Sequence, residues 1–256
     1  KMKVEVLKEG VHSGGASGHV PSSFRIARSL LSRLEDENTG EILLEELSTE
    51  IPDYRMEETK KLVSILENEV VEEFPWKDNM KPSTSDNIEG VLRRTWKPAV
   101  SIVGVDGMPS TANAGNVLRP YTTLQLSMRI PPTASAKKAV SAMEKILSEN
   151  IPYDATVELQ FEKAGEGWNA PESKPWLLEA IDKASKQYFG QIACSMGEGG
   201  SIPFMGMLGK QFPEAQFVIT GVLGPQSNAH GPNEFLHIPF AKRLTCCISS
   251  IIADYK

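Results

Sequence analysis

The feature that most restricts how this chain can fold is an alternation of strand-like and helix-like patterns along its first 164 residues. Met2, Val4 and Val6 alternate with Lys3 and Glu5. Leu124, Leu126, Met128 and Ile130 alternate with Thr123, Gln125, Ser127 and Arg129, and Val157, Leu159 and Phe161 with Glu158, Gln160 and Glu162. Such alternation sets one apolar face against a core, so each run predicts a half-buried strand; Ser101–Val105 adds a shorter β-rich run. Two helical patterns fall between them. Residues 22–35 carry Phe24, Ala27, Leu30, Leu31 and Leu34 at helical spacing; residues 135–148 carry Ala139, Val140, Met143, Ile146 and Leu147, closed by Asn150 and Pro152. The order β-α-β-β-α-β predicts a split βαβ unit, with two helices on one face of a four-stranded antiparallel sheet.

Charge marks an interruption of that unit. Between Glu35 and Asp78 there are fifteen acidic residues and four basic ones, whereas the whole chain has 33 against 27 and a net charge of −6. This predicts an acidic helical insertion over 36–98, solvated on one face and packed through Leu62, Val63, Leu66, Val70 and Phe74 on the other. After the breakers Gly165, Gly167 and Pro171 the pattern changes. A helix is expected over 173–188, with Pro175 in its first turn and Gly190 as its stop. Short strands follow at 191–195 and 216–221, then a last helix over 239–253. The expected organisation is an α+β unit over 1–164 and an α/β segment over 165–256.

A net negative chain is a poor partner for nucleic acid. No run of about 18 apolar residues is present, so no membrane-spanning helix is expected, and the charged opening KMKVEVLKEG does not resemble a signal peptide. Lys rather than Met in the first position suggests a cut or processed chain. Three cysteines, Cys194, Cys246 and Cys247, do not make a disulfide framework, which points to a reducing cytoplasm.

Four places hold residues suited to chemistry. The loop from Gly224 to Glu234 follows an expected strand, and ligands bind where α/β strands end. Its His230, between Ala229 and Gly231, reads either as a ligand or as a structural histidine; Gly231-Pro232 prevents a helix from joining it to Glu234. The loop over 197–203 offers Glu198 and Ser201 among three glycines, as a binding loop or a plain turn, and lacks the Gly-x-Ser-x-Gly nucleophile pattern. Val11–His19 stands between a strand and a helix as an anion site or a turn, without either phosphate-loop glycine signature. Arg129, on the polar face of its strand, is a two-pronged clamp for carboxylate or phosphate, or a surface ion pair. Asn116 lies in the turn entering that strand.

Four stretches occur together: His12-Ser13-Gly14; Asn116-Val117-Leu118-Arg119-Pro120 with Leu126-Ser127-Met128-Arg129; Glu198-Gly199-Gly200-Ser201-Ile202-Pro203; and Ala229-His230-Gly231-Pro232-Asn233-Glu234. In order and separation, across nearly the whole chain, they resemble the C-terminal part of the co-catalytic zinc peptidases. That family includes cytosolic non-specific dipeptidase, carnosine dipeptidase, carboxypeptidases and aminoacylases. The resemblance implies a lid or dimerisation domain over 1–164 and the returning C-terminal segment of an α/β catalytic domain over 165–256. It implies that His230 is a zinc ligand and that His12 crosses a homodimer to stabilise the oxyanion in the partner's active site. Asn116, Arg129 and Ser201 would hold the carboxylate end of a small peptide, and Glu198 its amino end. Asn116 stands where carnosine-type enzymes have threonine.

The implied cofactor is two zinc ions per site, with manganese as the alternative, in a cytoplasmic homodimeric dipeptidase or exopeptidase that needs neither nucleic acid nor membrane. The family's His-x-Asp motif, bridging aspartate and Glu-Glu pair would precede Lys1. No His-x-Asp occurs in the chain, so these 256 residues are expected to be inactive alone. Two other readings stay open: a dimerisation module that has lost its metal centre, and an anion-binding protein using the Gly14–Gly18 loop.

Overall fold

The computed structural model describes all residues except Lys163, Gly199–Ile202, His230 and Lys256. Strand β1 (Met2–Glu5) is followed by β2 (Val11–His12), the single turn α1 (Ser13–Ala16) and α2 (Ser23–Leu31). The insertion supplies α3 (Asp53–Leu66), α4 (Glu69–Glu72) and α5 (Asn87–Thr95). Next come β3 (Ala99–Asp106), β4 (Val117–Leu118), β5 (Tyr121–Arg129), α6 (Ala136–Ser148) and β6 (Thr156–Leu159). Helices α7 (Pro175–Phe189), α8 (Pro203–Gln211) and α9 (Ile238–Ala253) follow.

The main sheet has the order β3-β5-β1-β6, every pair antiparallel, as expected of a split βαβ unit. Met2, Val4 and Leu124 from the sheet meet Ile26, Ala27, Leu30 and Leu34 from the α2 region and Ala139, Met143 and Leu147 from α6 in one core. Ser22 caps α2, and the buried Ser23 hydroxyl lies 2.9 Å from that of Thr122, tying α2 to β5. The α2 helix stops at Leu31, short of the expected 35, because the chain turns: the Leu34 N–H bonds the Leu31 carbonyl and the Leu43 N–H bonds that of Leu34.

Arg33 uses this turn to reach the end of α6. Its guanidinium donates to the carbonyls of Ile146 (3.2 Å), Glu149 (2.5 Å) and Asn150 (2.8 Å), acceptors that a helix terminus leaves without intrahelical partners. Arg33→Ala is expected to lower stability by about 2 kcal/mol, the scale of lost charged hydrogen bonds. The measurement is a lower urea midpoint at unchanged slope. Arg33→Lys should recover only part, because an ammonium lacks the planar fork.

The insertion has its own cluster. Leu62, Val70 and Val91 are buried with Val63, Leu66 and Val71 against them, and the remaining contact is Cys194, far along the chain. Arg55 donates to the Asn169 side chain (3.1 Å) and the Ala170 carbonyl (2.6 Å), and Asn169 donates to the Tyr54 hydroxyl (3.0 Å). The acidic segment is thereby fastened to the C-terminal third. Phe74, expected on the packed stripe, is instead exposed, edge-on to Trp76 and beneath the Arg94 guanidinium.

A third core joins α7 and α9 through Leu177, Ala180, Ala184, Cys247 and Ile251. Burial raises the Cys247 thiol above its ordinary range, and its Sγ lies 3.5 Å from the Ala184 carbonyl. The strands expected at 191–195 and 216–221 are absent among the described residues. A strand exists through hydrogen bonds to a neighbour, and neither segment has a ladder partner here. Val218 and Ile219 remain exposed. Among the described residues no helix is long and apolar enough to cross a membrane.

Candidate active site

Of the residues singled out by sequence, the described ones fall into two groups, with His12 and Asn116 at one end of β5 and Arg129 at the other. The first is built by a ribbon in which β2 pairs with β4, His12 facing Val117. The Ser13 N–H donates to the Asn116 carbonyl at 2.9 Å, so His12 and Asn116 become neighbours. The exposed His12 ring accepts the Gly14 N–H at Nδ1 (3.1 Å). In a neutral imidazole this places the proton on Nε2 and makes Nε2–H the donor offered to a ligand. A Cβ at Gly14 would stand 2.9 Å from His12 Cε1, so the ring position depends on glycine there.

The second group gathers where α5 runs into β3. Arg129, exposed at the far end of β5, pairs with Ala99. A Cβ at Gly197 would lie 3.1 Å from the Thr95 side chain, and the Ala193 N–H donates to Asp182 (3.1 Å), so the stretch leading to Glu198 is held against α5 and α7. Thr95 and Ala99 are separated by at most about 14 Å of chain. Arg129 and the stretch leading to Glu198 are thus each linked to the α5–β3 segment, Arg129 through Ala99 and Gly197 through Thr95.

The two groups do not converge within one chain. At about 3.3 Å per residue, Tyr121 and Arg129 lie about 26 Å apart along β5. Antiparallel pairing continues beyond the Tyr121 end, where the Val6 N–H meets the Pro120 carbonyl at 2.9 Å before the ribbon begins.

The loop after residue 221 is closely braced. The buried Ser227 hydroxyl lies 2.8 Å from the carbonyls of both Leu223 and Gly224, and its own carbonyl accepts the Phe235 N–H. The Asn228 side chain donates to the Pro232 carbonyl (2.6 Å). Asn228 and Asn233 take left-handed backbone angles (φ 53° and 59°), which asparagine tolerates better than most residues. His230 and Ser201 lie outside the described residues. His237, to which sequence reading attached no role, caps α9: its Nδ1 accepts the Phe240 N–H at 3.1 Å. Its position just before Ile238-Pro239, with proline in the first turn, was the available signal.

Among the described residues no group of three or more His, Cys, Asp or Glu side chains could hold a metal ion. Those residues alone do not fit a metal centre. Burial pushes the Cys194 thiol up despite the nearby Lys61 ammonium.

Residues 1–155 match the M20 peptidase dimerisation domain. The chain is 25% identical over 253 residues to a cysteinylglycine-S-conjugate dipeptidase of Corynebacterium striatum, across 94% of this chain and 52% of that protein. It is 29% identical over 208 residues to the Cys-Gly metallodipeptidase DUG1 of Saccharomyces cerevisiae, across 78% of this chain and 42% of that protein. The solved structure of the yeast dipeptidase Dug1p shares the fold, with a TM-score of 0.71 at 21% identity over 99% of this chain and 53% of that one. The chain thus spans about half the length of the curated relatives it matches. With its sheet order, its paired helices and a domain match over most of its length, the chain belongs to the M20 peptidase dimerisation-domain family.

Proposed function

We propose that the intact protein is a homodimeric, divalent-metal-dependent dipeptidase in which each active site draws on both protomers. The observation that carries this reading is the separation of the two groups. A dipeptide is about 7 Å long, so His12 and Arg129 of one chain, at opposite ends of a strand about 26 Å long, do not hold the same substrate. A second copy related by a two-fold axis supplies the missing group to each site. The edge strand β3, with Ile102, Val103 and Val105 each more than half exposed, is suited to pairing with its counterpart.

In the proposed site, Arg129 and Ser201 hold the substrate carboxylate, Arg129 through its two-pronged guanidinium, and Glu198 receives the ammonium end. His12 of the second copy donates Nε2–H to the carbonyl oxygen as it becomes an oxyanion, with Asn116 next to it. The metal, zinc or manganese, would activate water. His230 is this chain's proposed donor; among the described residues no cluster of three or more such side chains supplies the others. Cysteinylglycine is the first substrate to test, from the names of the two relatives. A cytoplasmic location agrees with three unpaired thiols.

Mixed dimers provide the test. When intact His12→Ala and His230→Ala proteins are co-expressed, half the dimers are mixed and one site in each has both residues, so activity returns to about a quarter of wild type. Either variant alone stays near background. Verified mixed dimers without recovery would place His12 in its own chain's site and overturn this reading.

A further inference from the structure

Between β3 and β4 the chain leaves the main sheet and returns carrying Asn116. It leaves at Asp106, the last residue of β3, which is paired with Thr123 of β5. It returns through β4, Arg119 and Pro120 to Tyr121, the first residue of β5. Every residue from Met108 to Val117 is exposed, and a single turn of 3-10 helix, Thr111–Asn113, lies among them. The ribbon built on this return is short. β2 and β4 share two residue pairs, Val11 with Leu118 and His12 with Val117, extended by the bond from the Ser13 N–H to the Asn116 carbonyl. A two-stranded ribbon of this length does not hold itself in water, so its direction relative to the sheet has to be fixed from outside.

Arg119 supplies such a brace. Its partly buried side chain donates Nε–H to the Gly107 carbonyl at 2.8 Å, twelve residues away, and closes the loop at its base. Gly107 is a fixed point for this bond. It follows the last ladder pair of β3, and its left-handed backbone (φ 88°) lays it against Tyr121: a Cβ there would stand 2.5 Å from the Tyr121 carbonyl oxygen and 3.0 Å from its ring. Tyr121 is itself held in the ladder, opposite Glu5. On the other side of the ribbon, Gly10 lets β2 approach β4, since a Cβ there would stand 2.8 Å from Val117 Cγ1. The path to the site is short: Arg119 holds the end of β4, the Asn116 carbonyl holds the Ser13 N–H, and Ser13 adjoins His12.

We propose that Arg119 is a positioning residue for His12: by bonding the Gly107 carbonyl it fixes the angle at which the β2–β4 ribbon leaves the sheet, and so the place at which His12 offers Nε2–H to the substrate carbonyl in the second copy's site. This rests on the reading of His12 given above. Arg119 touches no substrate; it acts through the ribbon that carries His12.

Three variants of the intact protein test it: Arg119→Ala, Arg119→Lys, and Arg119→Ala combined with His12→Ala. Arg119→Ala should lower kcat for cysteinylglycine roughly tenfold with KM within about twofold, because a misplaced oxyanion donor is missed only in the transition state. A role limited to stability would reduce the folded fraction and leave kcat per folded site unchanged. Arg119→Lys puts a methylene where Nε stands, so it should fall between wild type and Arg119→Ala. The double variant should keep the kcat of His12→Ala, because Arg119 then has nothing left to position. Hydrogen exchange over residues 11–19 should quicken in Arg119→Ala, while exchange over 121–129 stays at the wild-type rate. Unchanged kcat in folded Arg119→Ala, or multiplication of the two losses in the double variant, would overturn the proposal. If Arg119→Ala does not fold, Arg119→Lys, alone and with His12→Ala, is held to the same two outcomes. If the wild-type protein cleaves no dipeptide, the dipeptidase reading fails. The exchange contrast then decides the brace separately, and wild-type exchange over 11–19 in the variant would rule it out.

Discussion

Replacing His12 with alanine in the intact protein is expected to lower kcat for cysteinylglycine by roughly two to three orders of magnitude, with KM little changed. A donor aimed at an oxyanion acts on charge that exists only in the transition state, so its loss appears in kcat. The geometry prepares His12 for this part. In a neutral ring the Gly14 N–H at Nδ1 leaves the proton on Nε2, the donor that the proposed role needs. Gly14→Ala should shift kcat in the same direction by less, since a Cβ there would meet the ring at 2.9 Å. The ring is exposed and caps only a four-residue turn, so thermal stability should barely move. Unchanged kcat in His12→Ala would remove the residue from the mechanism.

His230→Ala is expected to empty the metal site of the intact protein. Even partners that only orient a ligand are worth about 10- to 100-fold in metal affinity, so loss of a direct donor should exceed about a hundredfold. Elemental analysis after gel filtration measures the occupancy, and full occupancy would make His230 a structural histidine. His237→Ala is the matched control. It removes the cap that accepts the Phe240 N–H, so it should reduce stability by about 1 kcal/mol and leave the metal in place.

Much of the fold was legible in the residues because its signals are local. Period-two alternation along β5 and the Leu30 and Leu147 stripes on α2 and α6 each report burial of one face, whatever lies opposite. Where a feature depended on a distant partner, the reading weakened. Residues 191–195 and 216–221 look like strands by composition, yet no ladder partner reaches them among the described residues. The β2–β4 ribbon is too short to show a period and read as a glycine-rich turn. Helix α8 followed a run of glycines that pointed to loop, and its own glycines face Trp168 rather than a bend.

The sequence by itself determined the β-α-β-β-α-β order, the family resemblance and a roster of candidate site residues, because residue type, spacing and order are written along the chain. Only the tertiary structure decided which of those residues meet. It brought His12 beside Asn116 through a two-residue ribbon, and held the stretch leading to Glu198 against α5. It also set the two groups at opposite ends of β5. The reason is geometric: pairing register and strand length convert separation along the chain into distance in space, and the residues that face each other across a sheet are chosen by the partner strand.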